Sequence, residues 1–95
     1  MNPVDELEQH YPEVIQRMGK RFNSHEFIRE LAYQQQALYV QALAHYAHNK
    51  APFQVVHGLL AKALHKFDHL VDYIGVETST DIFGHSNEAA VWGRK

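Results

Sequence analysis

Histidine is the one chemically versatile side chain that this sequence concentrates, with eight in 95 residues. His65, His69 and Asp72 are spaced i, i+4 and i+7, which on a helix sets two imidazoles and a carboxylate along one face. Zinc takes such ligands, and histidines at i, i+4 can share one ion. His45 and His48 form a second pair at i, i+3. The pairs fall at different heights. At a rise of 1.5 Å per residue, His65 lies roughly 20 Å along its helix from the turn that carries His45 and His48. There is no cysteine and no HExxH motif to complete a centre. His65, His69 and Asp72 are thus metal candidates whose plainer reading is a solvated helix face, and neither a metal nor a cofactor is expected. His25 and Glu26 form a His–carboxylate pair beside Ser24, but a catalytic pair needs a nucleophile and a pocket in register with it. Helix capping accounts for Asn23, Ser24 and Glu26 without chemistry. No other convergent polar set can be named, so the expectation is a protein that is not an enzyme, with no catalytic residue.

The elements that would position these side chains are marked by sparse proline and glycine. Asn2 caps a first helix, Pro3 suits its first turn, Pro12 kinks it and Gly19 ends it. Asn23 with Glu26 reads as a capping box, and Phe22 with Phe27 as the hydrophobic staple that accompanies it. No proline or glycine follows until after His48. The apolar residues Phe27, Ile28, Leu31, Leu38 and Ala42, with Tyr39, Leu43 and Tyr46 offset, recur at helical spacing, and Gln35 falls on the same stripe. Pro52 opens a further helix whose apolar period runs through Val56, Leu60, Leu64, Phe67 and Val71 to Ile74, and Gly75 stops it. Gly58, inside that helix, reads as a point of close approach. In the last stretch VETSTD is loop-like, Gly84 marks a turn, and NEAAVW favours helix.

The predicted fold is therefore mainly all-α. It is a single domain, residues 1–95, built on an antiparallel helical hairpin of about 24–48 and 52–74. A kinked N-terminal helix and a short C-terminal helix flank it, and Ile82, Phe83 and Trp92 dock on it as a clasp. The alternative is a winged-helix-like α+β fold in which the C-terminal segment forms wing strands.

Composition narrows the class. Hydrophobic residues at 45% and aromatics at 12% exclude a disordered chain. No basic region followed by an apolar run opens the sequence, and no apolar stretch approaches the ~18–20 residues of a membrane span. A cytoplasmic protein with no membrane partner is expected. Charge is uneven: residues 20–67 hold six Lys and Arg against Glu26 and Glu30, whereas residues 68–88 hold five carboxylates and no Lys or Arg.

Three stretches together, FNSHEFIREL, PFQVVHGLLAKAL and STDIFGHSNEAAVW, resemble small uncharacterised bacterial proteins. Those proteins pair an F-x-S-H-x-F-I motif with a C-terminal S-x-D-I-F-G…W. The matching residues are Phe22, Ser24, His25, Phe27 and Ile28, then Ser79, Asp81, Ile82, Phe83, Gly84 and Trp92. The resemblance spans most of residues 22–92 and implies that DIFG and Trp92 belong to the folded domain. It brings no activity.

Two functions follow from the residues. The first is a non-enzymatic helical interaction module: helix 24–48 has a wider apolar arc than one neighbouring helix covers. Leu31, Leu38, Tyr39, Leu43 and Tyr46 would then meet a protein partner or a second copy in a homo-oligomer. The second is a winged-helix-type DNA-binding regulator that uses helix 52–67, with Gln54, Lys62, His65, Lys66 and Arg94 facing nucleic acid. Few cations on that face and the acidic run behind it weigh against the second.

Overall fold

The computed structural model describes residues 2–95. Its N-terminal portion is two helices, α1 (Pro3–Glu8) and α2 (Tyr11–Arg17). The Asn2 side chain accepts the Val4 N–H at 2.8 Å. Pro12 lies in the first turn of α2, where a missing N–H costs nothing, so the expected kink is a break.

Strand β1 (Arg21–Asn23) leads into α3 (Ser24–Gln34). The capping box is complete: the Asn23 side chain accepts the Glu26 N–H, and Glu26 accepts the Asn23 N–H, each at 2.9 Å. The staple is present as well, with the Phe22 and Phe27 rings stacked at 5.9 Å. The single helix expected over 24–48 is divided, because Gln35 leaves the helical region (φ −124°, ψ 55°) before α4 (Gln36–His45) begins. A straight helix would carry Gln35 along the buried stripe of Phe27 and Leu31, and a buried amide without a partner costs about 1–3 kcal/mol. The break leaves Gln35 half-buried and turns α4 onto α1.

Helix α5 (Pro52–Ala63) tightens into a 3-10 turn at Leu64–Phe67. From Val71 the chain is extended, as β2 (Val71–Thr80) and β3 (Ser86–Arg94). The expected helix therefore does not continue to residue 74, VETST of the expected loop is strand with Asp81 left to the turn, and NEAAVW is strand in place of a short helix. The run VDYIGVETST is rich in β-branched and aromatic residues, which suit a pleated surface. Its helical period was a coincidence of Phe67, Val71 and Ile74. In NEAA, strand pairing overrides the helix preference of alanine. Small side chains fit there: β3 is the central strand, and Ala89 is buried.

The sheet order is β1-β3-β2, all antiparallel. Phe22 and Tyr73 flank Trp92 in register. Arg21 and Asn23 of β1 reach Glu77 of β2 across β3, at 3.0 and 2.8 Å. A bulge at Ile74 shifts the β2 register between Tyr73 and Gly75. Five α-helices with a three-stranded sheet make an α+β fold, which corrects the mainly all-α expectation and its helical hairpin. The order helix, strand, helices, helix, hairpin agrees with the winged-helix-like alternative.

The core draws Leu7, Tyr11 and Ile15 from the first helices, Phe27 and Leu31 from α3, Leu60 from α5, and Trp92 from β3. Leu31 is fully buried, and Leu38, Tyr39, Leu43 and Tyr46 are partly buried against that core. Much of the apolar arc expected to await a partner is thus covered by this chain, in part by α1 and by the Asn2 amide bonded to the Tyr46 hydroxyl at 3.1 Å. Among the described residues no helix is long and apolar enough to cross a membrane.

Gly58 does not mark a close approach. It is exposed on α5, and a Cβ built there meets nothing within 4 Å. Gly58→Ala should therefore stabilise the protein by about 1 kcal/mol, the helix-interior difference between the two residues, read as a rise in the urea midpoint.

Candidate functional site

Helix α5 buries one stripe, Val56, Leu60 and Ala63, and so turns Gln54, Gly58 and Lys62 outward, with His65 following in the 3-10 turn. The β2–β3 hairpin runs beside this outward file, with a groove between them. Its tip is built by Asp81: Oδ1 accepts the N–H groups of Phe83 and His85 at 2.9 and 3.0 Å, and Oδ2 accepts from the Asn87 amide at 3.2 Å. Gly84 takes the left-handed conformation (φ +84°) that this turn requires. The turn sends Phe83 back onto α5, where its ring meets Phe53 edge-on at 4.7 Å and stacks near His57 at 6.4 Å.

Burial in the turn raises the Asp81 pKa, and the hydrogen bonds from His85 and Phe83 outweigh it, leaving the carboxyl below its ordinary value. A depressed carboxylate stabilises the fold above its unfolded pKa and ceases to do so as pH falls through the folded one. Acidification below the ordinary aspartate value of 3.8 should therefore loosen the hairpin tip first. Amide NMR shifts of Phe83 and His85 titrating together, ahead of core amides, would check this.

His57 forms the other wall of the contact. Its Nε2 lies 2.6 Å from the Tyr39 hydroxyl, and the two rings stack at 5.8 Å. Burial lowers the His57 pKa, the Asp81 charge opposes that shift, and His25 adds to it. The ring is therefore neutral near pH 7.

Between α5, the start of α3 and the hairpin lies a groove of about 400 Å³. His25, His57 and His65 line it, together with Lys62, Gln54 and Glu88. His25 Nδ1 is buried and has no hydrogen-bond partner among the described residues. No family model, no curated protein and no solved structure matches this chain.

Of the residues proposed to face nucleic acid, Gln54, Lys62 and His65 come together along the groove. Lys66 is engaged with Glu8 at 2.9 Å, and Arg94 donates to the Gln16 carbonyl at 3.1 Å, at the opposite end of the hairpin from its tip. The metal candidates are not on one helical face: His65 is in the 3-10 turn, His69 beyond it, and Asp72 on β2 beside Lys95 at 3.4 Å. The clasp residues separate too. Trp92 is buried, with its indole N–H donating to Ser24 Oγ at 3.3 Å, while Ile82 and Phe83 sit partly exposed at the hairpin tip.

Sequence reasoning missed His57; it weighed His25 only as a pair with Glu26, and named Asp81 only as part of a resembling motif. Asp81 had a signal, since aspartate three residues before glycine is a turn pattern. His25 and His57 are brought together only by the tertiary fold.

Proposed function

We propose that this protein is a non-enzymatic winged-helix regulator, acting in the cytoplasm, that binds duplex DNA through α5 with the β2–β3 hairpin as its wing. The observation that carries this reading is the exposed file of Gln54, Gly58, Lys62 and His65, flanked lengthwise by the hairpin. A helix presenting small and polar residues fits the major groove, and a glutamine near its N-terminus can pair with adenine. Gly58 removes the side chain that would hold the helix backbone away from base edges. Because Lys66 and Arg94 are engaged elsewhere, phosphate neutralisation falls on few cations, and the salt dependence is correspondingly shallow. Fluorescence anisotropy with a randomised duplex at low salt tests this. Lys62→Ala should weaken binding across all sequences and lower the salt slope by about one, while Gln54→Ala should relax preference at one base pair. Absence of any salt-dependent binding would sink the reading.

A second reading, association with a protein partner or a second copy, is favoured by one observation. Tyr73, Ile74 and Val76 of β2 are each more than half exposed on a wing that carries acidic residues. Sedimentation at micromolar concentration tests it, and a strict monomer that captures no partner would exclude it.

A further inference from the structure

We infer that the groove between α5 and the hairpin is a binding site for a small aromatic carboxylate, so that such a ligand and DNA would occupy the same face of α5 in turn. The second half of this inference rests on the DNA reading above; the first half does not.

A volume of about 400 Å³ lies within the range of ~300–1,000 Å³ usual for small-molecule sites. Its interior is divided by chemistry. One side is apolar, lined by Ile28, Ala61, Ala89 and Ala90. The rings of Phe83 and His57 line the groove as an aromatic wall, and Phe53 packs edge-on against both. A ligand ring placed there can pack edge-on or offset, the geometries that aromatic pairs prefer. At Gly58 there is open space where a side chain would stand, so a flat ligand can lie against the helix backbone.

The polar side carries polar groups without partners. Lys62 makes no ion pair, and Gln54 makes no side-chain hydrogen bond, among the described residues. His25 Nδ1 is buried and unpartnered in the same groove. A buried polar atom such as His25 Nδ1 is costly to leave unmade, and the exposed Lys62 of the same lining supplies the charge that suits a carboxylate. Two carboxylates share the groove with Lys62. Asp81 keeps its charge but turns both oxygens to the hydrogen bonds of the hairpin tip, and Glu88 makes no ion pair among the described residues. One negative charge on the ligand is met by Lys62 and opposed by Glu88, an opposition that doubles for the two charges of a phosphate.

The test titrates phenylacetate into the full chain, followed by calorimetry and by amide NMR. Saturable one-to-one binding is expected, with shifts at Gly58, Lys62, Ala89 and the Trp92 indole N–H. Benzyl alcohol, which lacks the carboxylate, should bind at least about tenfold more weakly, and Lys62→Gln should lose a similar factor. Gly58→Leu fills the groove floor; it should abolish binding while the thermal midpoint holds or rises, which separates loss of the site from loss of the fold. Glu88→Gln should tighten phenylacetate. If L-phenylalanine binds more tightly than phenylacetate and Glu88→Gln removes that gain, the aromatic carboxylate is a free amino acid. No saturation at millimolar phenylacetate, or binding that survives Gly58→Leu, overturns the site. Phenylacetate binding with no DNA binding leaves the site standing and removes the DNA reading. DNA binding that saturating phenylacetate does not weaken overturns the shared face.

Discussion

Replacing Trp92 by alanine should destabilise the protein by about 3–5 kcal/mol, the range for deleting a buried aromatic ring. The ring is 2% exposed and is the largest fully buried side chain. It stands between Phe22 and Tyr73 in the sheet register and meets His65 and Tyr73 edge-on at 4.8 and 5.5 Å. Its N–H anchors the first residue of α3 through Ser24. A domain of this size has only about 5–15 kcal/mol in total, so urea unfolding of Trp92→Ala should show a large fall in midpoint, or a chain unfolded from the outset. Trp92→Phe keeps most of the ring and should lose much less. A near-zero effect of the alanine change would show that this ring does not close the core.

Tyr11→Ala should cost a similar ~3–5 kcal/mol, from the opposite end of the sequence. The Tyr11 ring is fully buried, edge-on to Phe27 at 4.7 Å and stacked on Phe67 at 5.1 Å. Its hydroxyl donates to the Leu60 carbonyl at 2.6 Å. That carbonyl lies where α5 tightens, and the Leu64 N–H turns to the Ala61 carbonyl instead. Tyr11 thus caps the helix where it changes pitch. Tyr11→Phe isolates this bond and should cost about 1–3 kcal/mol by leaving a buried acceptor unmet. Burial first, then the Glu8 charge, push the phenol pKa far above its ordinary value of 10.0. A raised pKa contributes stability that is complete below the unfolded value and is lost as pH rises beyond it. Wild-type stability should therefore decline steeply above pH 10, and Tyr11→Phe should flatten that decline.

What could be read from the sequence was local. The Asn23–Glu26 capping box and the Phe22–Phe27 staple span a few residues, and both are in place. The i, i+4, i+8 file of Gln54, Gly58 and Lys62 was equally legible, because α5 is a regular helix. The strands were not. Tyr73 has its partner at Trp92 and Phe22 has the same partner 70 positions away, so nothing near either residue announces the pairing. Val71 and Ile74 meanwhile extend the period of Phe67 by chance, which gave the metal candidates a helical face that the structure lacks. Lys66 and Arg94 were lost to the site for a similar reason: their partners, Glu8 and Gln16, belong to the N-terminal helices.

The central position of β3 also orders the folding of the chain in time. Among the described residues neither β1 nor β2 has another strand to pair with, so this sheet cannot form until residues 86–94 have been synthesised. Strand β1, made first, must wait as an unpaired segment until the last strand arrives to join it to β2. Contacts that span so much sequence close slowly, because loop entropy is spent before they form. The last strand in the chain thus carries both the pairing that joins β1 to β2 and the Trp92 ring that fills the core between them.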